Sequence, residues 1–171
     1  MAMQGDPKIV SDFLIPSNMT SVDGAFFTFT GMRSLVGAEP PTAFMSVSYA
    51  VLLYPAGAPN PPHTHPRSAE LLFVADGSLQ VGFLDTTNKV FTQTLQAGDL
   101  FVPKGRVHFQ YNADAQKPAS AISAFGSANV GTVSLPNTLF TTSIDDGILA
   151  KSFKTDVATT QALKAALAPK P

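Results

Sequence analysis

Short apolar runs separated by glycine and proline recur roughly every 8 to 14 residues along this chain, a rhythm that predicts many short strands rather than long helices. The runs place strands near 25–30, 47–54, 70–75, 78–84, 89–95, 99–102, 107–112, 119–125 and 130–134. Asp76-Gly77 reads as a tight hairpin turn between two of them, and Thr86-Thr87-Asn88 as a second turn. Successive strand residues face opposite ways. Glu70, Leu72 and Val74 therefore share one face, with Leu71 and Phe73 on the other. His108 and Gln110 share a face, opposed by Val107, Phe109 and Tyr111. Strands apolar on both faces need cover on both sides, from a second sheet or from another subunit. The expected fold is all-β, a sandwich or barrel.

The pattern changes near the C-terminus. Asp145-Asp146-Gly147 opens a helix with Ile148, Leu149 and Phe153 on its apolar side. Thr155-Asp156 caps another that runs through Val157, Leu163 and Leu167 to a stop at Pro169. Leu163 and Leu167 are four apart and form a narrow stripe, suited to clasping a neighbouring subunit. The division expected is one domain over 1–171: an outer N-terminal segment over about 1–24, a barrel over 25–142 and helices over 143–171.

Composition narrows the function classes. The chain is 44% apolar and 13% charged over 171 residues, enough for one domain with a core. Eleven basic residues stand against twelve acidic ones, so no basic footprint exists for nucleic acid or an anionic membrane. No run approaches the ~18 apolar residues of a membrane span. With no cysteine, disulfides and thiolate catalysis are excluded. The start of the chain lacks the apolar core of a signal peptide. Asn18-Met19-Thr20 is a glycosylation sequon, which matters only along a secretory route.

The chemistry concentrates in two stretches that hold all three histidines. The first runs from Gly57 through Asn60-Pro61-Pro62-His63-Thr64-His65-Pro66-Arg67 to Glu70 and Gly77; the second is Pro103-Lys104-Gly105-Arg106-Val107-His108-Phe109-Gln110-Tyr111-Asn112. On an extended strand His63 and His65 project together. The Pro-Lys-Gly turn can return His108 beside them. Glu70 faces the interior, where a carboxylate is costly unless paired or bound to a metal. Three imidazoles and a carboxylate leave two positions free on an octahedral ion, which suits manganese or iron; zinc favours four ligands, and copper wins on affinity alone. Phe101, Phe109 and Phe125 read as core or interface fillers, Asn112 as a turn cap, and Arg67 as a solvated loop residue or a partner for a carboxylate across a subunit contact.

The spacing Gly57-x5-His63-x-His65-x4-Glu70-x6-Gly77 resembles the first cupin motif at every anchor. Pro103-x-Gly105-x2-His108-x3-Asn112 resembles most of the second. The surrounding residues are similar to plant germin-like proteins, and the likeness extends over nearly the whole chain. The resemblance implies a cupin jelly-roll β-barrel with a C-terminal helical extension, and His63, His65, Glu70 and His108 as ligands of Mn(II), with Fe, Zn or Cu as alternatives. It further implies a homo-oligomer, a hexamer built as a trimer of dimers, and an extracellular, apoplastic location. Germins oxidise oxalate; many germin-like proteins dismutate superoxide or are inactive, and other barrels of this type serve in storage or as receptors. Of two asparagines implicated in oxalate oxidation, one matches Asn60 and the other falls at Ala50, which has no side-chain donor. Superoxide dismutation is therefore the expected activity, with oxalate oxidation and a non-catalytic role as alternatives. This chain departs from the family pattern in lacking the N-terminal cysteine pair, in a short segment near 41–46, and in one residue fewer between Gly98 and Pro103. The last is expected to be absorbed near Gly98-Asp99.

Overall fold

The computed structural model describes residues 47–103 and 105–169. The strand expected at 25–30, the outer segment 1–24, the Asn18 sequon and the segment 41–46 all lie outside the described residues. Among the described residues nine strands form two antiparallel sheets: β1 (Ser48–Tyr54), β2 (Pro59–Thr64), β3 (Glu70–Asp76), β4 (Ser78–Leu84), β5 (Val90–Gln96), β6 (Leu100–Phe101), β7 (His108–Tyr111), β8 (Ala119–Phe125) and β9 (Val133–Ser134). One sheet has the order β1-β8-β3-β6 and the other β5-β4-β7-β2-β9. Three helices follow, α1 (Leu135–Phe140), α2 (Asp146–Ser152) and α3 (Val157–Leu167). The all-β reading with a helical C-terminus holds.

Alternation along the strands builds the interior. Leu72 and Val74 from one sheet and Leu79 and Val81 from the other are fully buried, and Tyr54, Leu95, Ala119 and Ala121 complete the same cluster. Each large side chain withdrawn from water in this way contributes about 1.5–3 kcal/mol. The opposite face of β3 stays partly in solvent, with Leu71 at 42% and Phe73 at 37% exposure. Their second cover is not supplied by the described residues. Asp145 and Asp156 cap α2 and α3 by accepting from the backbone N–H of Ile148 and Thr159. α2 buries Leu149 and Ala150 while Ile148 and Phe153 remain exposed, and α3 buries Thr160 while Leu163 stays outside.

Three expectations change. Asp76-Gly77 is not a hairpin turn: β3 pairs with β6 and β8, whereas β4 pairs with β5 and β7, so the chain passes here from one sheet to the other. Gly77 makes the passage at φ +78, and a Cβ there would stand 2.9 Å from that of Ala119 and 3.2 Å from the carbonyl oxygen of Pro118. Gly77→Ala is expected to cost about 2–4 kcal/mol, combining left-handed strain with a clash against rigid backbone; thermal denaturation measures it. Second, Pro59–Thr64 is a strand. Third, Leu135–Phe140 is a helix inside the span assigned to the barrel. The turn at Thr87-Asn88 is a true hairpin loop, held by the Asp85 carboxylate, which accepts from the backbone of Thr87 and Lys89.

Candidate metal centre

β2 brings the first histidines inward despite its three prolines. Its pairing with β7 sets His63 opposite His108 and Asn60 opposite Gln110, with a register shift between the two pairs. Proline lacks an N–H and suits such irregular pairing. β9 flanks β2 on its other side through Ser134 and Val133. His63 and His65 are both buried, while Thr64 between them turns outward to donate its hydroxyl to the Gly105 carbonyl at 2.9 Å. Glu70 enters from the opposite sheet at the start of β3 and is 2% exposed. β5 ends at Gln96, just ahead of Gly98 and Pro103. There Gly98 adopts φ +98, and Gly98 and Asp99 exchange backbone bonds with Val74. β7 keeps His108 facing inward.

One ligand atom from each of His63, His65, Glu70 and His108 lies within 4.8 Å of the others. His108 Nε2 stands 2.7 Å from Glu70 Oε2 and His65 Nε2 3.5 Å from the same oxygen. Ser123 donates its hydroxyl to Glu70 Oε1 at 2.5 Å. His65 also rests edge-on against Phe125, ring centroids 5.0 Å apart. The outer nitrogens are fixed. His63 Nδ1 lies 2.8 Å from the Pro61 carbonyl oxygen and His108 Nδ1 2.8 Å from that of Arg106, and His65 Nδ1 meets the Thr132 hydroxyl at 3.1 Å. Such bonds set the tautomer and orientation of metal-binding imidazoles.

This arrangement tests whether the cluster fits a cation. A carbonyl can only accept, so a neutral His108 gives its one proton to Arg106 through Nδ1. Its Nε2 is then a bare lone pair facing a carboxylate oxygen at 2.7 Å. Two acceptors at that distance repel unless a proton or a cation lies between them. His65 Nε2 is buried with no hydrogen-bond partner. Three nitrogen lone pairs and a carboxylate converging in a dry interior are the donor set a divalent transition ion requires.

The electrostatics agree. Burial, reinforced by the neighbouring His108, lowers His63 to about 4, so its imidazole is neutral and able to coordinate near neutral pH. Burial pushes Glu70 upward, but its contacts with His108, His65 and Ser123 outweigh it, and the carboxyl is held well below its ordinary range. For both groups the folded state binds fewer protons than the unfolded chain, so stability rises with pH. The His63 contribution is complete above about pH 6.5 and is lost as pH falls toward 4; that of Glu70 is lost below the ordinary carboxylate range. The melting temperature of metal-free protein is expected to fall between pH 6.5 and 4, corresponding to roughly 2–3 kcal/mol from His63.

The other residues singled out in the sequence sort differently. Asn60 stands three residues before His63 on β2, and its Nδ2 donates to Gln110 Oε1 at 2.7 Å. Asn112 does more than cap a turn, since its amide bridges the ends of several strands. Arg67 is an exposed loop residue. Its guanidinium donates to the carbonyl and side chain of Asn129 and holds that loop beside His65. Ser123, Thr132, Tyr54 and Gln110 gained no role from the sequence. Gln110 was reachable from its spacing of two from His108. Ser123 was not, because only the β3–β8 pairing brings it to Glu70.

Two sheets enclosing a buried three-histidine, one-glutamate cluster that could hold a metal ion define a cupin-type barrel. The Cupin family model matches residues 38–161. Germin-like protein 9-3 of Oryza sativa subsp. japonica is 54% identical over 192 residues, covering 99% of this chain and 89% of its own length. An oxalate oxidase structure shares 36% identity and a TM-score of 0.68 over 72% of this chain and 64% of that one. A second, oxalate oxidase in complex with the substrate analogue glycolate, shares 27% identity and a TM-score of 0.74 over 96% and 92%. This chain belongs to the germin-like proteins of the cupin family. Among the described residues no helix is long and apolar enough to cross a membrane.

Proposed function

We propose that this chain is a manganese-binding germin-like protein that dismutates superoxide outside the plant cell and works as a homo-oligomer. The convergence of His63, His65, His108 and Glu70 carries the reading. A bound manganese ion would supply one-electron redox chemistry and open coordination positions. The protein's part is to hold three imidazoles through their Nδ1 bonds, to keep Glu70 ionised through Ser123, and to exclude bulk water. Dismutation turns two superoxide anions and two protons into dioxygen and hydrogen peroxide, so it asks for little beyond a small pocket. Leu71, Phe73 and Leu163, apolar yet exposed, favour burial against further copies of the chain.

Oxalate oxidation is the second reading, supported by the oxalate oxidases among the structural relatives. Ala50 opposes it. On β1 it sits opposite Ser123, the residue that holds Glu70, and brings no polar side chain to the interior. A site meant for a dicarboxylate loses heavily when such a contact is missing. A storage or receptor role would leave the centre closed or without metal. Elemental analysis of native protein with parallel superoxide and oxalate assays separates the three. Manganese with superoxide turnover is the expected result. A loaded but inert sample would refute the enzymatic part, and oxalate turnover would favour the second reading.

A further inference from the structure

The three imidazoles have unequal partners at their outer nitrogens. His63 and His108 each face a carbonyl oxygen at 2.8 Å. A carbonyl only accepts, so both rings keep a proton on Nδ1. His65 Nδ1 instead faces the Thr132 hydroxyl at 3.1 Å, and a hydroxyl can donate or accept. Of the three histidines, His65 is therefore the one whose neighbour leaves its tautomer open. The ring itself is well held, buried and edge-on against Phe125 with centroids 5.0 Å apart. Its Nε2 stands 3.5 Å from Glu70 Oε2.

The hydroxyl is placed by a loop with a latch of its own. Thr132 lies just ahead of β9, at the end of the connection from β8. Arg67, two residues after His65, donates Nε to the Asn129 carbonyl at 2.8 Å and a terminal nitrogen to the Asn129 side chain. Its backbone N–H donates to the Val130 carbonyl at 3.3 Å. Gly131 passes directly against the guanidinium at φ +67, where a Cβ would stand 2.7 Å from the guanidinium carbon. The segment that carries His65 thus grips the loop that carries Thr132 at Asn129, Val130 and Gly131.

We propose that Thr132 is a positioning residue that lets His65 exchange tautomers as the centre takes up a metal, with Arg67 as the latch that keeps the hydroxyl in reach. This rests on the metal-binding reading above and deepens it. Without metal, the hydroxyl donates to Nδ1, and the ring's single proton sits on Nε2, directed at Glu70. With a cation on Nε2, the hydroxyl turns to accept from Nδ1–H. One proton leaves Nε2 for solvent as the cation enters. Thr132, which is exposed, passes its own proton to Nδ1 and takes another from water. The ring holds one proton before and after, and the hydroxyl keeps one throughout. His63 and His108, fixed by carbonyls, undergo no such exchange.

Solid-state nitrogen NMR of histidine-labelled protein reads the tautomers directly, since the chain's three histidines supply every ring signal. Zinc is the probe because it is diamagnetic, and the His65 signals are those lost in His65→Gln. The expected result is a His65 proton on Nε2 without metal and on Nδ1 with zinc, while His63 and His108 keep theirs on Nδ1 in both states. Thr132→Val preserves shape but leaves the Nδ1–H of the loaded form without an acceptor. It is expected to bind zinc about tenfold more weakly, the lower end of what such supporting contacts contribute. Thr132→Ser should restore wild-type affinity. Arg67→Met should also weaken zinc binding, but add nothing in a Thr132→Val background, because it acts through the hydroxyl. A His65 proton already on Nδ1 without metal overturns the exchange, as does wild-type zinc affinity in Thr132→Val. A full Arg67→Met effect in the Thr132→Val background overturns the latch. Wild-type protein that takes up no zinc overturns the metal-binding reading itself, and the exchange with it.

Discussion

Glu70→Gln is expected to weaken metal binding by more than about 100-fold while leaving the metal-free fold at least as stable as the parent. Removing residues that merely support metal ligands already costs about 10–100-fold, and here an anionic ligand itself becomes a neutral amide. The fold should survive because glutamine repairs the contact that glutamate leaves unresolved. Its Oε1 can still accept from Ser123, and its Nε2 can donate to His108 Nε2, whose lone pair otherwise faces the carboxylate. The opposite result identifies a different site. If Glu70 and His108 form a permanent ion pair that needs no metal, the substitution strands a buried charged imidazole. Breaking such a pair costs about 3–5 kcal/mol, and metal content would not change. Elemental analysis and melting curves with and without chelator distinguish the two.

That experiment bears on residues whose positions the sequence reveals in unequal measure. The inward face of β3 follows from alternation alone, because Glu70, Leu72 and Val74 are buried and Leu71 and Phe73 are not. β2 hides from the same reasoning. Prolines at 59, 61 and 62 remove the N–H groups a strand normally offers, and its strand character comes from pairing with β7 and β9. The two-residue spacing of His63 and His65 carries through anyway, since both rings need only extended backbone. Asp76-Gly77 misleads in the other direction. An Asp-Gly pair between two apolar runs satisfies every local rule for a hairpin. What prevents one is non-local: β8 and β6 already occupy both edges of β3. α1 likewise begins at Leu135-Pro136 with no side-chain cap to announce it.

The four clustered side chains thus follow from local spacing, while the residues packed around them follow from topology. Ser123 and Tyr54 reach the interior on β8 and β1, in parts of the chain with no motif around them. The same division explains why Asn60 draws attention and Gln110 does not. A residue within a recognisable motif is visible, and the one it positions across a strand pair is not.

Asn112→Ala is expected to produce the largest loss of stability of any substitution that spares the metal ligands, about 3–5 kcal/mol, or roughly 10 °C in melting temperature for a chain of this size. Asn112 is 1% exposed. Its Nδ2 lies 3.0 Å from the Tyr54 carbonyl oxygen, 3.2 Å from that of Pro55 and 2.8 Å from that of Lys117, while its Oδ1 accepts from the Asp114 backbone at 3.1 Å. One amide therefore ties the end of β1 to the segments on either side of the β7–β8 connection. Alanine removes the donor and leaves those carbonyls competing for scarce partners in a closed interior, where an unsatisfied polar group costs about 1–3 kcal/mol. His108 lies four residues away, about 13 Å along the strand, so the ion's immediate surroundings should be intact below the transition. The expected signature is a large fall in melting temperature with metal content near that of the parent at low temperature. Metal loss at temperatures where circular dichroism still reports a folded chain would place Asn112 in the centre itself rather than in the frame that carries it.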